Sequence, residues 1–294
     1  MRVSRPGTGS GVGGATHTVG IIGWPVEHSV SPAIHNAAFA AADLDWVYVP
    51  LPVPPQALSE ALSGLATLGF RGANVTMPHK TETADLLTDI SEDARLLRAV
   101  NTIVVADGEP AGALQGHNTD APGFDRFLRR DAGFDPAGAA ALIYGAGGAA
   151  RACALALARA GVERLTVAAR DVARAAPLAS IVEGFGVPVS IVHPSDVDGT
   201  MADLVVNATP VGGIGAEPRH AALPRLGAGV LVVDLLYDPP TTDLQRRARE
   251  AGATAVGGLG HLLEQAALSF ELWTGTPAPL EVMSAAALAI LADR

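Results

Sequence analysis

Four short polar clusters carry the residue types that could do chemistry: Glu27-His-Ser-Val-Ser-Pro32, Asn74-Val-Thr-Met-Pro-His-Lys80, Ala99-Val-Asn-Thr102 and Asn118-Thr-Asp120. The first three follow apolar, β-branched runs, and in parallel α/β sheets ligands bind beyond the carboxyl ends of the strands. Together the clusters supply hydroxyls, amides, one lysine and one aspartate. That set suits a small polyhydroxylated acid and is poor for a lipid or an aromatic ring. Taken singly, each residue has a duller explanation. Ser31 caps a helix, Ser29 makes a turn, Asn74 and Asn101 satisfy loop backbone, Thr119 caps a helix, Lys80 is solvated and Asp120 is a first-turn acid. The combination is what points to a site.

A second kind of chemistry is written at Gly145-Ala-Gly-Gly-Ala-Ala150, directly after the apolar run Ala140–Tyr144 and before an alanine-rich helix. This is the G-x-G-x-x-A dinucleotide pattern in its proper strand–turn–helix setting. Gly145 allows the tight turn, Gly147 lets backbone approach a pyrophosphate, and Ala150 keeps helix and strand close. The helix start offers free N–H groups and a positive dipole end to phosphates. The next strand ends at Arg170, with Arg174 one turn on. Two cations at a helix N-terminus oppose its dipole, which makes sense if a 2′-phosphate sits there. Asp171 could contact a ribose hydroxyl, but an N-cap role is favoured, and NADP is expected over NAD.

Positioning these residues takes alternating strands and helices. Strands are predicted at Thr18–Gly23, Trp46–Val49, Gly72–Thr76, Asn101–Ala106, Ala140–Tyr144, Leu165–Ala168, Asp203–Asn207 and Val230–Asp234. Helices are predicted after Ser31, Pro54, Lys80, Ser91, Thr119, Gly147, Asp171, Thr241, Leu259 and Leu280. Ser31 followed by Pro32 reads as an N-cap with proline in the first turn. The pattern is α/β, with parallel sheets covered on both faces. Two domains are expected with a cleft between them: an α/β substrate domain (17–118 plus 258–294) and a Rossmann-type dinucleotide-binding domain (119–257). Residues 1–16 read as a flexible tail.

The chain has 294 residues, 49% of them hydrophobic, enough for two ordinary cores, and a formal net charge of −10. No Lys/Arg stripe is visible, so a nucleic-acid partner is not expected. A single Cys excludes an internal disulfide or a Cys-based zinc site, and the eight scattered His argue against a structural metal. The most apolar stretch, 138–160, is interrupted by Arg151, Arg159 and glycines, which does not suit a membrane span. Cys153 reads as a core thiol. The Gly-rich start is unlike a signal peptide, so a cytoplasmic location is expected.

The clusters, in this order and with the GAGGAAR turn, resemble the shikimate dehydrogenase family. The likeness runs from about Thr18 to the C-terminal helices and includes Asn207-Ala-Thr-Pro210, Asp234-Leu-Leu-Tyr237 and Gly258-Leu-Gly-His-Leu-Leu-Glu-Gln265. It implies NADPH-dependent reduction of 3-dehydroshikimate to shikimate, in the chorismate pathway of aromatic amino-acid biosynthesis. It also implies roles. Ser29 and Ser31 resemble carboxylate-binding serines, and Tyr237 a substrate-contacting tyrosine. Thr76, Asn101 and Gln265 match polar contacts to the ring substituents, and Asn74 lies in the same motif as Thr76. Lys80 and Asp120 match the catalytic pair. Gly145, Ala146, Gly147, Gly148 and Ala149 match the pyrophosphate turn, Arg170 and Arg174 the 2′-phosphate clamp, and Gly258 a nicotinamide-side contact.

Some residues depart from the family pattern. Ala169 stands where Asn is frequent and Asp171 where Ser or Thr is, which keeps NAD open. Arg98 replaces a small residue and His261 replaces Met. The alternatives are an NAD-dependent or dual-cofactor quinate/shikimate dehydrogenase and, in another class, a non-catalytic dinucleotide-sensing protein. A monomer or homodimer acting on a small molecule is expected.

Overall fold

The computed structural model describes residues 12–106, 112–220 and 222–292. The chain forms two compact units. The first runs to Ile90 and takes in Val100–His117 and everything from Ser269, while the second comprises Ser91–Ala99 and Asn118–Leu268. The C-terminal boundary therefore falls at Ser269, inside a helix, where the sequence reading puts it at 258. Residues 1–11 of the expected tail lie outside the described residues. At its end Thr16 is tied down, its Oγ1 donating to Asp45 Oδ1 at 2.8 Å.

In the first unit, β1 (His17–Gly23), β2 (Trp46–Pro52), β3 (Phe70–Val75), β4 (Asp89–Ile90), β5 (Thr102–Val105) and β6 (Leu114–His117) form one sheet in the order β2-β1-β3-β5-β6-β4. It is packed by α1 (Ser31–Ala41) and α2 (Leu58–Thr67); the unit also holds α3 (Lys80–Leu86) and, near the end of the chain, α10 (Leu280–Ala292), which packs on α1. The sheet is mixed, not parallel as expected: β5 runs antiparallel to both β3 and β6. Only residues 106–113 join β5 to β6, too few for a crossover helix, so the pair closes as a hairpin. Leu114-Gln-Gly-His117 has no β-branched residue, which is why β6 was invisible in the sequence. Gly116 is required there, because a Cβ would lie 2.7 Å from Val100 Cγ2.

Buried in this unit is His35, 0% exposed and stacked on Tyr48 with ring centroids 4.5 Å apart. Neither ring nitrogen has a hydrogen-bond partner among the described residues. Burial alone lowers its pKa from 6.5 to about 3. The unfolded chain takes up this proton near pH 6.5 and the folded chain does not until about 3. Its contribution to stability is therefore complete above pH 6.5 and is lost as pH falls, by about 1.4 kcal/mol per unit. Urea melts at pH 7 and pH 4.5 should show a smaller acid-induced loss for His35→Leu than for wild type. Equal losses would contradict the assignment.

The second unit carries α4 (Glu92–Leu97), α5 (Asp120–Arg130), β7 (Ala140–Tyr144), α6 (Gly148–Ala160), β8 (Arg164–Ala168), α7 (Val172–Glu183), β9 (Val189–Val192), β10 (Leu204–Asn207), β11 (Leu231–Asp234), α8 (Asp243–Glu250), β12 (Thr254–Gly257) and the start of α9 (Leu259–Thr274). Its six strands are all parallel, in the order β12-β11-β10-β7-β8-β9. This is the Rossmann arrangement, with the strand order reversing beside β7, where dinucleotides bind. Strand β7 is buried along its whole length, and α6 buries eight residues from Ala150 to Ala158 against the sheet and its neighbouring helices.

Candidate active site

In the first unit the expected residues gather at the carboxyl ends of β1, β3 and the start of β5. Ser31 is the first residue of α1, not its cap: Val30 occupies that position and makes no side-chain cap bond. Pro32 has no N–H to offer, and the Ser31 amide donates to Ser29 Oγ at 3.2 Å. The Ser31 hydroxyl is not engaged in capping, and burial raises the pKa of the Tyr48 phenol with Ser31 pulling the other way. Thr76 follows β3, its amide donating to the Ile22 carbonyl at 2.9 Å. Gly23 leaves the room for it, since a Cβ there would meet Thr76 Cγ2 at 2.5 Å.

Asn74 differs from a simple ligand. It is buried, and its amide is committed to the protein at both ends. Oδ1 accepts from Tyr48 Oη at 2.8 Å, while Nδ2 lies within 3.0–3.2 Å of Ser269 Oγ, Thr102 Oγ1 and the Asn101 carbonyl. The Tyr48 backbone is itself clasped by Asn36, which accepts from its N–H at 2.8 Å and donates to its carbonyl at 2.9 Å. Lys80 opens α3, and its carbonyl accepts from Val100 N at 2.9 Å, so the lysine is anchored to the segment that carries Asn101. His79 fixes the approach, donating from Nε2 to the Val53 carbonyl at 2.7 Å.

In the second unit Asp120 opens α5, with its amide donating to Asn118 Oδ1 at 3.0 Å. Asn118 is held in turn through Nδ2, which donates to the Ala99 carbonyl at 2.9 Å. His261 stands edge-on to Phe124, and its Nε2 is 3.0 Å from the Asp120 carbonyl. A carbonyl only accepts, so Nε2 carries the proton. The departure at 261 thus supplies a bond to the backbone of Asp120 that methionine could not. Gly123 permits α9 to press on α5, because a Cβ would lie 2.9 Å from Gln265 backbone. Gln265 then meets Thr119 across a long 3.5 Å contact. Thr119 makes no side-chain cap.

Tyr237 follows β11 in a loop ordered by Asp234. That buried carboxylate accepts from Thr242 Oγ1 at 2.6 Å, Asn207 Nδ2 at 2.9 Å and Leu236 N at 3.2 Å. Burial raises its pKa against the opposing pull of these three donors. The Asn-Ala-Thr and Asp-Leu-Leu-Tyr motifs are therefore locked together at the carboxyl edge of the sheet. The sequence displayed both motifs but not this bond between them.

The turn after β7 fits a dinucleotide pyrophosphate. Gly145 has φ +110°, which disfavours any side chain, and a Cβ there would sit 3.0 Å from the Ala208 carbonyl. A Cβ at Gly147 or Gly148 would meet nothing within 4 Å, so the face above the α6 N-terminus is open to a phosphate. Positive charge surrounds it. Arg151 lies half-buried in the first turn of α6, and its pKa is lowered by burial and by the charges of Arg98 and Arg174. Arg98 reaches this end because α4 lies along α6, where Asp93 pairs with Arg159 toward the far end of the helix. Asp171 is the N-cap of α7, its Oδ1 accepting from Arg174 N at 3.2 Å, as the sequence reading favoured. Gly258 is buried against the chain after β11, where a Cβ would lie 2.0 Å from the Leu235 carbonyl oxygen. Cys153 is buried in α6 and its thiol pKa is pushed well up, which suits a core residue.

Residues 21–103 match the family described as "Shikimate dehydrogenase substrate binding domain", and residues 258–288 match "Shikimate 5'-dehydrogenase C-terminal domain". The chain is 45% identical over 280 residues to a shikimate dehydrogenase (NADP(+)) of Methanopyrus kandleri, covering 93% of this chain and 95% of that protein. A crystal structure of the Thermus thermophilus shikimate 5-dehydrogenase in complex with NADP(H) and shikimate superposes with a TM-score of 0.82 at 36% identity, covering 94% of this chain and 100% of that one. Quinate dehydrogenase from Corynebacterium glutamicum in complex with NAD is also similar, with a TM-score of 0.84 at 33% identity, covering 93% and 99%.

Proposed function

The chain belongs to the shikimate dehydrogenase family, and from that premise we propose that it interconverts shikimate and 3-dehydroshikimate with Lys80 and Asp120 handling the protons. The Gly145 turn and the α6 N-terminus would hold the pyrophosphate of NADPH, which would supply the hydride. Reduction of a ketone builds negative charge on its oxygen, and that charge needs a proton donor within hydrogen-bond reach. Lys80 donates that proton from its ammonium group. Asp120 balances the lysine charge and accepts from the neighbouring substrate hydroxyl. In the oxidation direction neutral Lys80 takes the alcohol proton. Ser29, Ser31 and Tyr237 receive the carboxylate, while Thr76, Asn101 and Gln265 receive the ring oxygens. The reading includes a cytoplasmic role in aromatic amino-acid biosynthesis, as a monomer or homodimer acting on free metabolites. No helix among the described residues is long and apolar enough to cross a membrane.

The observation that carries this reading is the pairing, in one chain of this family, of a hydroxyl–amide–lysine cluster with a phosphate-ready glycine turn. An absorbance assay at the nicotinamide band, crossing shikimate and quinate with NADP+ and NAD+, tests it. Shikimate with NADP+ should be the fastest combination, and faster quinate oxidation with NAD+ would replace the reading. A dinucleotide sensor would give no turnover at all. Engagement of Asp171 as an N-cap weakens the case for NAD. The double variant Arg170→Ala/Arg174→Ala should raise KM for NADPH by about 10- to 100-fold, the scale of lost charge-assisted contacts to phosphate. Its KM for NADH should hardly move, and a parallel rise for NADH would place the two arginines elsewhere in recognition.

A further inference from the structure

Asp120 is held by its backbone, and at both ends of the residue. Its N–H donates to Asn118 Oδ1 at 3.0 Å, and Asn118 Nδ2 donates to the Ala99 carbonyl at 2.9 Å. Its carbonyl accepts from His261 Nε2 at 3.0 Å. A carbonyl has two lone pairs, so it can serve the α5 ladder and the imidazole together. The imidazole is itself steadied by Phe124, to which it stands edge-on with ring centroids 5.5 Å apart and planes at 83°. Two glycines let α9 come close enough for this. A Cβ at Gly123 would lie 2.9 Å from Gln265 backbone, and one at Gly260 would lie 2.6 Å from the Phe127 ring. Every group in this arrangement belongs to the second unit.

The geometry points to His261 as a positioning residue for Asp120, holding the carbonyl of the first residue of α5 so that its carboxylate projects from a fixed backbone. The first N–H groups of a helix have no partner in its own ladder, and Thr119 makes no side-chain cap. This end of α5 therefore depends on bonds from outside the helix. Pinning both backbone groups of Asp120 leaves only its side-chain torsions to be ordered when substrate arrives. That is the kind of support a proton-handling group needs, since it works only within about 0.5 Å of its productive place. His261 comes from α9, 141 residues along the chain, so the support is not local. This role for His261 rests on Asp120 accepting from the substrate hydroxyl, as proposed above.

The test compares, in the full chain, His261→Met, which keeps an apolar side chain of similar length but has no N–H, with His261→Gln, whose amide restores a donor. His261→Met should lower kcat for shikimate oxidation by about two- to tenfold, the worth of one net hydrogen bond, with KM for shikimate and NADP+ changed by less than about twofold. His261→Gln should recover most of that loss. In an Asp120→Asn background His261→Met should cost less than about twofold, because its effect acts through Asp120. The bond itself is read without ligand from the Asp120 carbonyl carbon, detected through the Ala121 nitrogen in a chain labelled with carbonyl-13C aspartate and 15N alanine. That resonance, identified by its loss in Asp120→Asn, should move in His261→Met and return toward its wild-type place in His261→Gln. An unmoved resonance, an equal kcat loss in both backgrounds, or a change confined to KM would overturn the positioning role. Near-normal turnover by Asp120→Asn would instead defeat the reading of Asp120 on which that role rests. His261→Leu carries the same comparison if His261→Met folds poorly.

Discussion

Lys80→Ala is expected to lower kcat by about 10²–10⁴-fold while KM for shikimate changes little, the signature of a group whose main work is in the transition state. The lysine opens α3 with its carbonyl fixed to Val100 N, so the substitution removes a side chain from an anchored position and leaves the backbone frame in place. Loss of a proton donor slows oxidation and reduction alike, since one group serves both directions. Steady-state rates in both directions, at saturating NADP+ and NADPH, measure the effect. A near-normal kcat would remove Lys80 from the mechanism and with it the proposed partnership with Asp120. Exogenous primary amines offer a second readout, because partial rescue is expected only if the missing function is the ammonium proton.

Gly258→Ala is expected to destabilise the second unit by about 3 kcal/mol or more, at the upper end of the cost of forcing atoms into a packed site. The reason is steric and leaves little freedom. The added carbon would lie 2.0 Å from the Leu235 oxygen and 2.3 Å from its carbonyl carbon, both of them backbone. Gly258 N also donates to the Leu236 carbonyl at 3.0 Å, and the Gly258 carbonyl accepts from Leu262 N, so neither strand end nor helix start can move aside freely. A fall in Tm of about 6–12 °C corresponds to that energy for a unit of this size. Gly147→Ala is the contrast. No protein atom lies within 4 Å of its Cβ position, so stability should change by less than about 0.5 kcal/mol. The cost of Gly147→Ala should appear instead in weaker NADPH binding, measured by fluorescence titration. An unchanged Tm for Gly258→Ala would show that the close approach to Leu235 is not maintained in solution.

Features fixed by a few neighbouring residues were legible in the sequence. The β7 strand, the Gly145 turn and α6 follow from an apolar run, a glycine at φ +110° and an alanine-rich helix, all within twenty-odd residues. The Asp171 N-cap is equally local, because side chain and backbone partner are three residues apart. Local preference also explains why β6 was missed: its residues have no strand propensity and pair only because β5 lies opposite. The N-cap expected at Ser31 shifted by one residue, to Val30, so the serine hydroxyl does not cap the helix.

Backbone pattern thus settled which elements form and which polar residues stand at their ends. Tertiary packing alone decided what each polar group bonds to. The Asn74 amide meets Ser269 across 195 residues, and the Asp120 carbonyl meets His261 across 141. Those pairings depend on where α9 lands, which no local preference encodes. A hydrogen bond depends on a few tenths of an ångström and a direction, and the chain reaches that precision only after distant segments have closed around a common core.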